Sequence, residues 1–549
     1  MSQSPAITIS YGPDLNAIPG EGFIHENSWY NQDFDGYRIS EQPLFAKRHL
    51  RLICVGAGAT GLQLAYKAER ILENIDLQIY EKNDDIGATA INFGGPGEKP
   101  GRPSYSPSEE IWQYFKDISN RFKLEKYIKF NSVVESATWD EEEGKWNLQI
   151  KTPEGPIADS CDILISASGV LNSWKYPDIP GLEGFKGKLM HSANWDASLD
   201  LDGKNVAVIG GGSSGVQIIP SIQPQVKKLT AFLRSPVWVI TGIGGVHSGP
   251  GGTNFKYSTE QIQRFKDHPE EYDQYCRDLE GELNKRFSLM HSLGADQKRS
   301  REAISKLMSE RLGHDERLTS TMIPQFGLGC RRMTPGSGYL EVTEEGIIDE
   351  SGVEHKVDVI ICATGFNTSF SPQFEIVGRN GANLKQQFGD FPVGYLAIMA
   401  ANFPNLFLVM GPNGPVSHGS VLPIVEWMIR YIFQVVEKVQ QENIKSFEPK
   451  IGAVKDLYNH THEIMKRLVW SSKCSSWFKN GKKEGPVTAI YPGSRLHFFE
   501  MLKNVRWEDF ELEYRSSNRF QFMGNGYTQC EIDPDGNKVW YFDDEFTQV

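Results

Sequence analysis

Two glycine-rich turns, each set between a strand and a helix, constrain this chain more than any other feature. The first is Gly56-Ala57-Gly58-Ala59-Thr60-Gly61. An apolar run at 51–55 precedes it, residues 62–72 have helical periodicity, and a second apolar run at 77–80 ends at Glu81. The second turn is Gly210-Gly211-Gly212-Ser213-Ser214-Gly215. It follows the strand-like run 205–209 and precedes a helix from Val216 and a strand, 229–233, that ends at Arg234. Strand, G-x-G-x-x-G turn, helix and strand in that order predict a βαβ unit, so the chain carries two such units.

In a unit of this kind the first glycine permits the tight turn. The second lets the backbone approach a pyrophosphate, and the helix N-terminus offers N–H groups and positive dipole to that anion. The candidate binding residues are therefore Gly56, Gly58 and Gly61 in one turn. In the other they are Gly210, Gly212, Ser213, Ser214 and Gly215. The two sites differ in one charge. Glu81 stands 25 residues after Gly56, and Arg234 stands 24 after Gly210. A carboxylate there accepts hydrogen bonds from a ribose diol and repels a 2′-phosphate, whereas a guanidinium pairs with that phosphate. The first site is expected to prefer FAD or NAD and the second NADPH. Two such sites in one chain imply electron transfer between a nicotinamide and a flavin.

Residues 161–169 and 357–365 echo each other. Each is an apolar strand closing on a small residue, a hydroxyl residue and glycine: Ala167-Ser168-Gly169 and Ala363-Thr364-Gly365. Such a pair suits the two crossings where one nucleotide domain is inserted into another. The expected organisation is an N-terminal arm over 1–46 and a first, FAD-binding part over 47–175. A second, NADP-binding part follows over 176–255, a helical insertion over 256–320, and a return of the NADP part over 321–341. Residues 342–549 complete the FAD part and the C-terminal region. The fold class is α/β, with two Rossmann-like domains.

Asp and Glu total 70 against 57 Lys and Arg, a net charge of −13. That balance argues against nucleic acid as the partner, since phosphate backbones want clustered positive charge. The seven cysteines lie no closer than 32 residues apart (362 − 330), so no zinc spacing exists, and reduced thiols in a cytoplasmic protein are expected. Residues 1–10 lack the pattern of a signal peptide. The longest apolar helix candidate, 421–439, is interrupted by Glu426, Arg430, Glu437 and Lys438, so no transmembrane segment is expected. Nothing in the sequence sets the oligomeric state.

The run Phe185-Lys186-Gly187-Lys188-Leu189-Met190-His191-Ser192-Ala193-Asn194-Trp195 resembles the F-x-G-x-x-x-H-x-x-x-W fingerprint of Baeyer–Villiger monooxygenases and related class B flavoprotein monooxygenases. The resemblance extends from about residue 37 to 530. It includes Gly329-Cys330-Arg331-Arg332, Ala363-Thr364-Gly365-Phe366 and Gly411-Pro412-Asn413. It implies that NADPH reduces FAD and that one oxygen atom of O2 is inserted beside a ketone carbonyl to give an ester or lactone. Arg332 matches the family's active-site arginine, a fixed cation for developing negative charge. Arg331 matches its basic partner near the NADP phosphate. Thr89, Thr364 and Gly365 fall at cofactor-binding positions. His191, placed with Arg332 in the catalytic set, resembles a linker residue coupling domain motion rather than a proton donor. The runs His418-Gly419-Ser420 and Pro492-Gly493-Ser494 are similar to those of fungal members. That implies secondary metabolism and an apolar ketone substrate of polyketide or terpenoid kind.

The chain departs from the family pattern between Gly87 and Ser104. Ala88 and Ala90 replace a glycine and a tryptophan, and Phe93 and Gly95 replace an asparagine and a tyrosine. Gly101 stands where the family has the aspartate that pairs with the active-site arginine. Stretches of family residues are absent after Ser104 and between Glu341 and Val342. Three readings compete on sequence alone: a monooxygenase with a rebuilt flavin lip, a repurposed member catalysing a non-redox cyclisation, dehydration or isomerisation, and a non-catalytic protein or the product of a defective gene model.

Overall fold

A computed structural model of the chain describes residues 28–87, 108–179, 182–240, 247, 249, 255–335 and 356–543. Thr89, Gly101 and the junction of Glu341 with Val342 lie outside the described residues. Strand β1 (Leu50–Val55), helix α1 (Ala59–Ile71) and strand β2 (Ile75–Tyr80) open the first unit. β1 is buried at five of its six positions, as a parallel strand covered on both faces must be. α1 turns Gly61, Leu62, Leu64, Ala65 and Ala68 inward, a stripe with spacings of three and four. After a short β3 (Ile128–Lys129), strands β4 (Val133–Asp140), β5 (Lys145–Thr152) and β6 (Gly155–Cys161) pair antiparallel. β7 (Ile163–Ser166) then returns to lie beside β1.

The second unit holds β8 (Lys188–His191), β9 (Asn205–Ile209), α2 (Ser213–Ile222) and β10 (Lys228–Phe232). Helices α3 (Thr259–Asp267), α4 (Pro269–Asn284), α5 (Ala295–Arg311) and α6 (Glu316–Met322) occupy the stretch expected to be a helical insertion. Then come β11 (Val359–Cys362), β12 (Glu375–Val377), β13 (Leu406–Leu408) and the long helix α7 (Val421–Gln441). The first sheet runs β13-β7-β1-β2-β3 and the second β10-β9-β11-β8, both wholly parallel. A third sheet, β12-β4-β5-β6, packs against the first. Trp146 of β5 fastens that packing: it is fully buried, and its Nε1–H donates to Pro404 O at 2.8 Å, just before β13.

Two expectations need correction. The reading that starts the return of the first unit at residue 342 fails, because β11 pairs with β9 on one side and β8 on the other. The second unit therefore reaches at least to Cys362. The echo between the two apolar strands has a different origin from an insertion point alone: each is the strand lying next to a glycine-turn strand, β7 beside β1 and β11 beside β9. The expectation of seven reduced thiols also fails. Cys330 and Cys474, 144 positions apart in sequence, are disulfide-bonded with Cα atoms 6.5 Å apart. Tertiary folding brings them together, which spacing does not reveal. Cys54, Cys161 and Cys362 are buried free thiols. Among the described residues no helix is long and apolar enough to cross a membrane.

Replacing Trp146 by alanine removes a fully buried ring and orphans the Pro404 carbonyl. A loss of about 3–5 kcal/mol in unfolding free energy is expected. Denaturant titration checks it; a loss below about 1 kcal/mol would contradict the fastening role.

Candidate active site

Both glycine turns are locked by the strand beside them. Gly56 sits at φ +113°, and a Cβ there would stand 2.6 Å from Ala167 O. Gly210 sits at φ +119°, and a Cβ there would stand 2.3 Å from Ala363 O. The third glycines pack on the first: a Cβ on Gly61 would lie 2.2 Å from Gly56 O, and on Gly215 2.0 Å from Gly210 O. So Ala167 and Ala363, the small residues of the echo, roof the turns, a role the sequence reading missed although it singled out the pattern. Gly212 differs from the others, because a Cβ there would meet nothing within 4 Å. Gly58 and Gly212 are the N-cap residues of α1 and α2, and neither helix start is capped by a side chain. Open space against an uncapped helix start is the geometry that accepts a phosphate. Ser213 and Ser214 open α2, with Ser214 buried.

Glu81 stands at the tip of β2, almost fully buried. Its Oε2 accepts from Ala57 N–H at 2.8 Å, and its Oε1 accepts from Asn83 N–H at 3.0 Å and Asn83 Nδ2 at 2.7 Å. A carboxylate has about four acceptor sites, so one remains for a ligand hydroxyl. The acid thus braces the glycine turn and keeps capacity for a diol, which fits a ribose.

Arg234 lies two residues past β10 and is exposed; its Nη2 donates to Ser475 Oγ at 3.4 Å. Arg331 donates from Nη1 to Ser235 Oγ at 2.9 Å and to Pro236 O at 3.1 Å. Burial, and then the neighbouring Arg234 charge, push the Arg331 pKa down. The structure therefore brings together two guanidiniums that the sequence separates by 97 residues (331 − 234). Arg332 is open to solvent yet ringed by enough protein that desolvation lowers its pKa. It has no hydrogen bond or ion pair among the described residues, which suits a cation waiting for an anionic partner.

His191 does not join this set. It is fully buried at the end of β8, so it cannot touch a substrate. Its Nδ1 accepts from Ala193 N–H at 3.1 Å, which puts the proton on Nε2, 3.3 Å from Thr364 Oγ1. The ring stacks on Trp174 at 4.4 Å with planes 6° apart, and the edges of Tyr176 and Phe366 face it at 6.3 Å. These residues belong to the two crossings between the sheets, which run side by side through Asn367 N–H to Ser173 O at 2.7 Å. Its inclusion in the catalytic set is corrected: it is a positioning residue. Thr364 uses its hydroxyl on His191, and Gly365, at φ +88°, turns the second crossing. A shallow cleft opens along the carboxyl ends of β7 and β13, lined by Ser168, Asn172, Asn367, Phe370, Ser371 and Met410 among others. Ser371 Oγ is buried there without a partner among the described residues. In an open parallel sheet this edge is where ligands bind.

Three outcomes follow from these contacts. Gly212→Ala keeps the wild-type stability to within about 1 kcal/mol and weakens nucleotide binding, while Gly215→Ala costs about 1–3 kcal/mol through overpacking against Gly210 O. Thermal melts alongside calorimetric titration separate the two; equal melting temperatures would contradict the packing account. Burial holds the His191 pKa down from 6.5 to about 4. Burial first, and then Arg495, do the same for His418, also to about 4. The unfolded chain therefore binds protons that the folded chain refuses between those values. Stability falls as pH drops from 6.5 towards 4 and is indifferent to these groups above 6.5. His191→Gln should flatten that slope; imidazole resonances of His191 that titrate near pH 6.5 would contradict the burial.

A family model described as flavin-binding monooxygenase-like matches residues 98–474 of this chain. The FAD-binding monooxygenase tazF of Aspergillus terreus is 39% identical over 536 residues, covering 91% of this chain and 95% of that protein. A Baeyer-Villiger monooxygenase of Streptomyces coelicolor is 29% identical over 518 residues, covering 84% of this chain and 93% of its own. The closed crystal structure of cyclohexanone monooxygenase superimposes with a TM-score of 0.71 at 23% identity, covering 85% of this chain and all of that one. At that identity the likeness speaks to the fold, two Rossmann-like units in one α/β chain.

Proposed function

Because the chain belongs to the flavin-binding monooxygenase-like family, we propose that it is a Baeyer–Villiger oxygenase. It holds FAD at the first turn, takes NADPH at the second, and inserts one oxygen atom of O2 beside the carbonyl of an apolar ketone. The substrate is of polyketide or terpenoid kind. The observation that carries this reading is the opposite charge at two otherwise matching turns: Glu81 at one, Arg234 with Arg331 at the other.

The residues fit both cofactors. The uncapped start of α1 takes the FAD pyrophosphate, and the free acceptor site on Glu81 takes a ribose hydroxyl. Gly212, Ser213 and Ser214 do the same for NADPH at the start of α2. Arg234 and Arg331 pair with its 2′-phosphate. When bound, FAD reduced by NADPH supplies the oxygen-activating chemistry. Arg332 contributes a cation that no carboxylate among the described residues neutralises. Its role is to stabilise negative charge building on the substrate's carbonyl oxygen. Next to Arg332 in the chain, Met333 packs against the apolar cluster of the second unit and helical insertion and against a second cluster built mainly from residues 465–490. His191 stays neutral and moves no proton; it ties the crossings together so that the two cofactor sites keep one relative placement.

The test uses the FAD-loaded protein with NADPH, O2 and an apolar ketone. A product heavier than the ketone by one oxygen atom, formed with matching NADPH consumption, is expected. Conversion that persists without NADPH and O2 would overturn the redox reading. Arg332→Ala should lower product formation by about 10²–10³ without displacing the bound flavin.

A further inference from the structure

Contacts around the second site close into a ring. Arg234 is bonded to Ser475 Oγ, 241 residues away. Ser475 is the neighbour of Cys474, which is joined covalently to Cys330. Cys330 is the neighbour of Arg331, whose guanidinium returns to Ser235 Oγ and Pro236 O, beside Arg234. One disulfide and two sets of hydrogen bonds thus connect the tip of β10, the segment carrying both candidate arginines and a C-terminal loop.

That loop is itself stiff. Ser475 Oγ–H donates to Gly481 O at 2.6 Å, which leaves its lone pairs to receive Arg234. Lys479, buried, donates from Nζ to Ser472 O at 2.5 Å and Lys483 O at 3.0 Å. Arg234 and Arg331 have no carboxylate partner among the described residues, and each repels the other. Two like charges on long flexible stems splay apart unless something holds them. A phosphate gains most from a pair of guanidiniums already set at the right separation.

We propose that the Cys330–Cys474 disulfide, acting through Ser475, holds Arg234 and Arg331 at one spacing and thereby makes the second site select nucleotides that carry a 2′-phosphate. The inference rests on the reading above that this site takes NADPH. Cys330, Cys474 and Ser475 are positioning residues here, since none of them needs to touch the ligand. Nothing in the sequence marks the device: the disulfide spans 144 positions and the Ser475 contact spans 241.

The test compares two ligands, adenosine 2′,5′-bisphosphate and 5′-AMP, by calorimetry on the whole FAD-loaded protein. Four forms are measured: oxidised wild type, wild type after dithiothreitol, Cys474→Ser and Ser475→Ala. Dithiothreitol gives two electrons and two protons to the bridge, leaving two protein thiols and its own cyclic disulfide; alkylation and mass measurement count those thiols. The preference for the 2′-phosphorylated ligand should fall about tenfold on reduction and in Cys474→Ser, with 5′-AMP binding unchanged. Dithiothreitol should then add nothing to Cys474→Ser. Ser475→Ala, with the bridge intact, should lose a similar part of the preference, which covers the case in which the bridge-free forms do not fold. A merely structural bridge would move both affinities or the melting temperature and leave their ratio alone. A ratio that survives reduction and both substitutions overturns the proposal. Equal affinities in the oxidised wild type would instead contradict the NADPH reading itself, and this proposal with it.

Discussion

The structure depends on a close approach between a backbone turn and the strand next to it. At both units a carbonyl, Ala167 O or Ala363 O, stands where a Cβ on the first glycine would have to be. That contact forces glycine at the turn and a left-handed φ there. It also aims the start of the following helix outward at the carboxyl edge of the sheet. The uncapped helix start at that edge, with its positive dipole end, is therefore a consequence of backbone packing, and side chains only set the charge around it. The same approach explains why the two roofing strands share a sequence pattern, since each must end in a residue small enough to lie over a turn.

Charge does the tuning. Glu81 is drawn into its own turn by three N–H donors and keeps one acceptor site. Arg234 and Arg331 gather just past the tip of β10 and find no carboxylate among the described residues. Between these two edges the chain crosses twice, and the crossings are held side by side by a backbone bond and by an aromatic stack on a neutral histidine. A hydride would pass between cofactors bound at the two edges only if their relative placement were kept, which is what a rigid pair of crossings would supply.

Much of this was legible in the sequence, and the limits are physical. Turns, strand tips and helix starts are local, so Gly56, Gly210, Glu81 and Arg234 could be read from spacing alone. The resemblance on which the fingerprint at Phe185 to Trp195 bears correctly named the family. What escaped is what depends on distant contacts. β11 has the same composition whichever sheet it joins, and only its pairing with β9 and β8 assigns it to the second unit. The Cys330–Cys474 bridge and the Ser475 contact leave no periodic trace. The catalytic set read from the sequence includes His191 although its fingerprint position resembles a linker residue rather than a proton donor; its zero exposure agrees with the linker. Thr89 and Gly101 remain expectations of the family pattern alone, because they lie outside the described residues.

If the chain works as proposed, a nicotinamide nucleotide at the basic turn reduces a flavin at the acidic one. Anaerobic rapid mixing of the FAD-loaded protein with NADPH or NADH tests it most directly, by following the visible flavin absorbance. NADPH is expected to bleach the flavin, and to do so at lower concentration than NADH. A flavin that stays oxidised with either nucleotide, or that responds to both alike, would contradict it.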